Sequence, residues 1–175
     1  IITITLALGV QRMARQKAII RRLPAVETLG SVTVICSDKT GTLTRNEMTV
    51  TAILRADKTY QVDGAGYQPQ GSFHVDGNRL EPGRDRSLIE LLRAGLLCND
   101  GSISQKEGIW SVQGDPTDGA LITLAQKAGL DSQHCNMELP RKDIIPFESE
   151  HKFMATLHHD SGGKNVVYVK GAPER

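Results

Sequence analysis

The stretch SVTVICSDKTGTLT, residues 31–44, decides the reading of this chain. Val32, Thr33, Val34, Ile35 and Cys36 form a short apolar, β-branched run, which predicts a strand buried on both faces, as in a parallel sheet. The run breaks abruptly into polar residues at Asp38. Reactive groups of α/β folds sit at the carboxyl ends of such strands. Asp38, Lys39, Thr40, Gly41 and Thr42 combine a carboxylate, a cation, two hydroxyls and a residue free to turn tightly. Hydroxyls and backbone amides can cradle a phosphoryl group. The carboxylate can ligate Mg²⁺ or attack phosphorus. The plainer reading of Asp38 is a capping residue in a strand-to-loop turn. Neither G-x-x-x-x-G-K-[ST] nor G-x-G-x-x-G occurs, so the two common glycine-rich phosphate loops are excluded.

Upstream, the chain opens IITITLALGV, ten residues without a charge, and then turns basic. Residues 1–30 carry Arg12, Arg15, Lys17, Arg21 and Arg22 against Glu27 alone, for +4, while the other 145 residues sum to −3. A span needs about 20 apolar residues, so this stretch alone cannot cross a bilayer. Apolar residues followed by a basic cluster fit the positive-inside rule, and we read residues 1–22 as the cytosolic end of a transmembrane helix. An ordinary buried helix is the other reading. Pro24 ends the pattern, and PAVETL predicts a short helix with Pro24 first and Gly30 closing it.

Downstream, EMTVTAIL is strand-like, and Tyr60–Leu80 has turn signals at residues 63–64 and 76–77. Residues 85–98 have helical apolar spacing, and 108–114 read as a short strand. Asp115, Pro116 and Gly129 punctuate a helix between them. DIIPF, FMATLHH and NVVYV are strands, the last two joined by a DSGGK hairpin loop, and a helix could begin at Pro173. One strand makes no sheet, so residues 31–50 are expected to belong to a larger α/β domain. The roughly 125 residues after them make an α+β unit built on antiparallel strands, large enough to fold alone. Met48, Met137 and Met154 are read as core.

Composition narrows the function. The 175 residues are 39% hydrophobic and 23% charged, with net charge +1 and only seven aromatics. Neither a basic field nor a base-stacking platform for nucleic acid is present. Three widely spaced cysteines exclude a disulfide scaffold and a CxxC zinc site. His158 and His159 point to opposite faces of one strand and do not share a metal.

DKTGTLT, at Asp38–Thr44, resembles the phosphorylation motif of the P-type ATPases, and the resemblance covers nearly the whole chain. LPAVETLG (23–30) is similar to the segment between the fourth transmembrane helix and the phosphorylation domain. GDPTDGAL (114–121), PFESEHKFMAT (146–156) and KGAPE (170–174) resemble successive motifs of the nucleotide-binding domain, in order. The opening residues are most similar to the calcium-pump-like type II cation pumps.

The resemblance implies residues 1–22 as the end of a transmembrane helix or stalk. It implies 23–50 as the start of an incomplete α/β, haloacid-dehalogenase-like phosphorylation domain, and 51–175 as an incomplete nucleotide-binding domain. It implies Asp38 as the nucleophile for the γ-phosphoryl of ATP. Mg²⁺ is held by the Asp38 carboxylate and the Thr40 carbonyl, and Lys39 supplies a nearby cation. Haloacid-dehalogenase-like phosphatases carry an acid/base Asp where Thr40 stands, so an aspartyl phosphate here persists.

Phe147 fits the adenine-stacking position. Lys152 and Lys170, followed by Gly171, line the nucleotide pocket. Asp118 stands where Glu is usual, near the adenine amino group, and Ser149 replaces an Arg of some calcium pumps. Each has a plain reading too: Phe147 as core, Lys152 as a solvated strand residue, Asp118 as a helix-dipole partner, Lys170 as merely exposed. The implied partners are ATP, a transported cation bound in transmembrane helices, the actuator and remaining phosphorylation domains, and the membrane, with this portion cytosolic. A soluble phosphatase of the same superfamily and a non-catalytic nucleotide-binding module are the alternatives.

Overall fold

The first part of the chain forms two helices, the second of them opened by Pro24. The structure, a computed structural model, describes residues 2–22 and 24–173, in two units, Ile1–Arg45 and Asn46–Arg175. In the first, α1 runs over Ile2–Arg15 and α2 over Pro24–Leu29. Arg12 and Arg15 in the last turn of α1 complement its dipole. The helix was expected to reach residue 22 but ends at Arg15, where Lys17 turns left-handed at φ 64°. No described helix is long and apolar enough to cross a membrane. In α2, Pro24 stands first and Gly30 follows the last turn, as expected.

The strand expected at 32–36 is absent. Residues 32–38 are irregular, with Val34 74% and Ile35 84% exposed. A buried strand needs ladder partners for its N–H and C=O groups, and the described residues of this unit contain no other strand.

The second unit is α+β, with antiparallel strands in three separate sheets. β1 (Ala52–Leu54), β2 (Thr59–Val62), β3 (Phe73–Val75) and β4 (Asn78–Leu80) form a four-stranded meander. Asp76 and Gly77, both at positive φ, make the tight turn from β3 to β4. A 3₁₀ turn at Pro82–Arg84 leads into α3 (Arg86–Leu97). β5 (Ser102–Lys106) and β6 (Ile109–Gln113) make a hairpin. Next come α4 (Pro116–Lys127) and α5 (Ser132–Glu138). β7 (Arg141–Glu148), β8 (Phe153–His159) and β9 (Asn165–Gly171) form the last sheet, with β8 central. Pro146, which cannot donate to a ladder, sits on edge strand β7 within a register shift between Ile145 and Glu148.

The core gathers on α3. Leu88, Leu92 and Leu96 recur every fourth residue, so they form one stripe, and with Leu97 they are buried. Against them pack Ile53, Tyr60, Val62 and Phe73 of the meander and Ile122, Leu124 and Ala125 of α4. Met154 is core, whereas Met48 (48% exposed) and Met137 (74%) are not. Pro173 lies in a turn, and the helix expected from it falls on residues outside those described.

Two polar groups, Asp85 partly buried and His158 fully so, contribute to stability. The Asp85 carboxylate caps α3 by accepting from the Leu88 N–H at 3.1 Å, accepts from the Tyr60 hydroxyl at 2.7 Å and pairs with Arg55 and Lys58. The Tyr60 and Leu88 bonds hold its carboxyl below the usual range. Asp85→Ala removes the cap and strands the buried Tyr60 hydroxyl, so urea unfolding should show a loss of about 2–3 kcal/mol.

His158, fully buried, shares hydrogen bonds with the Leu139 carbonyl at 2.8 Å and the Thr156 hydroxyl at 2.9 Å. Burial pushes its imidazole below the usual 6.5, against the raising effect of the Leu139 bond and helped by the Arg141 charge. The depressed folded value makes its contribution full above pH 6.5, and it is lost as pH falls through the folded value. Thermal melts of His158→Gln should lack the acid-side decline that the wild type shows below that pH.

Candidate functional site

Each group of candidate residues lies within one unit. In the first, Asp38 begins a loop that folds on the Lys39 carbonyl, which accepts from the N–H groups of Leu43 (3.0 Å) and Thr44 (3.2 Å) and from the Thr44 hydroxyl (3.4 Å). Gly41, at φ +74°, donates its N–H to the Thr44 hydroxyl at 3.3 Å. Asp38 Oδ1 accepts from the Thr40 N–H at 3.4 Å. Its other carboxylate oxygen and the Lys39 ammonium have no partner among the described residues. The loop is exposed throughout.

In the second unit, α4 and β9 bring two candidates together. Asp115 caps α4, accepting from the Thr117 N–H at 2.7 Å, and Pro116 fixes its first turn. The Thr117 side-chain and backbone hydrogen bonds hold the Asp115 carboxyl below its usual range. That start places Asp118 where its Oδ1 pairs with the Lys170 ammonium of β9. Asp118 Oδ2 accepts from the Asp100 N–H at 3.4 Å, and Asn99 donates to the Asp118 carbonyl at 3.1 Å. The pair is largely withdrawn from water, at 13% side-chain exposure for Asp118 and 21% for Lys170. Lys170 is thus more than an exposed lysine.

Lys152, Lys170 and Gly171 meet where β8 starts and β9 ends. Gly171 faces Phe153 in register, and the Ala172 N–H donates to the Lys152 carbonyl at 3.0 Å. Lys152 lies in the turn before β8, not in a strand, at φ 57°. Phe147 sits beside Glu148, whose partner across the sheet is Phe153, so it flanks the same end. Phe147 is 57% exposed, which excludes the core reading. No hydrogen bond, ion pair or ring contact links Phe147 to either lysine among the described residues. An open cavity of about 450 Å³ is lined by His151, Phe153, Val169, Gly171 and Ala172, within the size of small-molecule sites.

The sequence reading lacked Asn99 and Asp100, which hold Asp118 from a different loop. No local motif marks them, because their role exists only once α3 and α4 pack.

Comparison with known proteins bears on both groups. Residues 87–175 match the family described as P-type ATPase, cytoplasmic domain N, a range that contains all five candidates of the second unit. The chain belongs to the P-type ATPase family.

Its relatives extend the likeness across the Asp38 loop. The chain is 51% identical to "Cation-transporting ATPase pma1" of Synechocystis, over 99% of this chain and 20% of that protein. It is 43% identical to "Calcium-transporting ATPase" of Bacillus subtilis, over 99% and 20%. It is 45% identical to "Calcium-transporting ATPase type 2C member 1" of Bos taurus, over 100% and 18%. The chain therefore spans about a fifth of the length of these P-type ATPase relatives.

Within this P-type ATPase chain, Gly171 is the tightest point of the candidate cluster. A Cβ there would lie 2.6 Å from the Lys152 carbonyl oxygen and 2.7 Å from Phe153 Cβ. Both obstacles are rigid, so the start of β8 and the end of β9 must part. Gly171→Ala should cost about 1–3 kcal/mol in urea unfolding. It should also move the backbone NMR signals of Lys152 and Phe153 before those of the meander.

Proposed function

We propose that the second unit binds ATP through Phe147, Lys152, Lys170, Gly171 and Asp118. We further propose that the whole protein is an ATP-driven cation pump that becomes phosphorylated on Asp38. The observation that carries this reading is the Asp118–Lys170 pair, which joins the start of α4 to the end of β9 beside Gly171 and Lys152. Two motifs far apart in sequence are thereby brought side by side, and both lie in the matched range, which supports the reading. The exposed Phe147 ring offers a face to adenine. Lys152, with no carboxylate partner among the described residues, is available to the phosphates.

Asp38 would attack the γ-phosphorus. The bond from that phosphorus to the bridging oxygen breaks, and ADP leaves with that oxygen. The donor set of the loop suits Mg²⁺: the Asp38 carboxylate oxygen that has no partner among the described residues and the Thr40 carbonyl are both hard oxygens. Bound there, Mg²⁺ supplies the positive charge that phosphoryl transfer requires. Thr40 supplies no carboxylate to activate water, so the aspartyl phosphate would wait for another domain. Calcium is our first choice of cation, since two of the relatives are named for it. On this reading residues 1–22 are the cytosolic end of a membrane helix and 23–50 begin the phosphorylation domain. The remaining phosphorylation domain, the actuator domain and the membrane are the other partners.

Two measurements test this. In ATP titrations of the 175-residue chain, Phe147→Ala should weaken binding about 5- to 150-fold, the worth of one stacked base, and Lys170→Ala should weaken it as well. In the full-length protein, Asp38→Asn should abolish acid-stable phosphate incorporation while ATP binding persists. Equal affinity of Phe147→Ala and wild type removes the stacking role. Incorporation into Asp38→Asn places the nucleophile elsewhere.

A further inference from the structure

Residues 46–51, the first of the second unit, have no regular secondary structure, although Glu47–Thr51 read as strand-like in sequence. The Thr51 carbonyl accepts from the Val62 N–H of β2 at 2.8 Å, and the residues before it are tied to the loop that carries Gly66 and Tyr67. The Met48 N–H donates to the Tyr67 hydroxyl at 3.4 Å, and the Gly66 N–H donates to the Thr49 hydroxyl at 2.9 Å. Glu47 packs so closely on Gly66 that a Cβ there would lie 2.7 Å from its carboxylate.

Tyr67 is 5% exposed, and its ring runs on to α4. A Cβ on Gly119 would lie 2.9 Å from Tyr67 Cε1 and 2.5 Å from Val112 Cγ2, so α4 approaches this ring as only glycine allows. The Thr123 hydroxyl, which donates to the Gly119 carbonyl at 2.8 Å, also reaches the Tyr67 carbonyl at 3.5 Å. The Thr117 hydroxyl donates to Met48 Sδ at 3.5 Å. Gly119 and Thr117 flank Asp118, which holds Lys170.

We propose that Tyr67 is a positioning residue for the nucleotide site, linking residues 46–51 to the Asp118–Lys170 pair through Gly119. The inference rests on the nucleotide reading given above. The bistable element is the ion pair itself. It is closed in this structure, and the closed pair holds Lys170 where the ligand would meet it. Coupling of this kind is reciprocal. A shift of residues 46–51 moves the first turn of α4, and opening the pair is felt at Met48 and Thr49. These residues directly follow the segment that carries Asp38, so the tie would report nucleotide occupancy to the chain leading from the phosphorylation motif.

The test uses the ¹⁵N-labelled 175-residue chain. Tyr67→Phe keeps the ring on Gly119 and removes only the bond to Met48. Thr49→Val cuts the second tie without touching Tyr67. In both variants the amide signals of Asp100 and Asp118 should move, with thermal stability close to wild type. ATP affinity should fall about 3- to 10-fold, the worth of one hydrogen bond. Signals of Asp100 and Asp118 that stay fixed in both variants overturn the proposal, and so does unchanged affinity in both where the wild type binds ATP. A wild type that binds no ATP sinks the nucleotide reading alone. The response of Asp118 to Tyr67→Phe then still reads the coupling.

Discussion

The second unit depends on the buried stripe of α3 and on the carboxylate that starts it. Its strands are three to eight residues long and lie in separate sheets, and such short ladders are marginal without an apolar surface to pack on. α3 supplies that surface, touching α4, α5, β9 and the 3₁₀ turn. Asp85 fixes where the helix begins and ties that point to the meander through the Tyr60 hydroxyl. Arg55 and Lys58 offset its charge, so one side chain sets both the register of a helix and the seat of a sheet.

Elements with their own punctuation were legible in the sequence. α4 announces itself by Asp115, Pro116 and Gly129, and the β8–β9 hairpin by its Asp-Ser-Gly-Gly-Lys loop. β5 and α5 were not legible. SISQK has one aliphatic side chain, and SQHCNME buries only Cys135, so neither shows an apolar period. Asp131, which caps α5 by accepting from the His134 N–H, was the one available signal. The run at 32–36 failed in the opposite way. Its β-branched pattern is a statement about burial, and burial needs partners that the first unit as described does not supply.

The candidate site was legible residue by residue but not as a geometry. Asp118 and Lys170 stand 52 positions apart, and only the packing of α4 beside β9 makes them a pair. Lys152 carries no sequence sign of its left-handed backbone. That conformation brings its carbonyl to Ala172 and places it against Gly171. The exposed Phe147 is the reverse case. Its position after a proline suits a core strand, yet the edge position and register shift of β7 leave the ring in solvent.

The electrostatics of the pair also bear on how ATP would lie on the proposed reading. Asp118 and Lys170 are poorly hydrated, so their attraction is stronger than that of a surface pair, and leaving either one alone is costly. A phosphate drawn toward Lys170 meets the Asp118 carboxylate, and the like charges repel. The adenine amino group, a neutral donor, meets the same carboxylate favourably. Lys152 faces no such carboxylate among the described residues and stands exposed in its turn. On that reading the base would lie toward the start of α4 and the phosphates toward Lys152. Lys170 would lie between them, held in place by the acid that would keep the phosphates away.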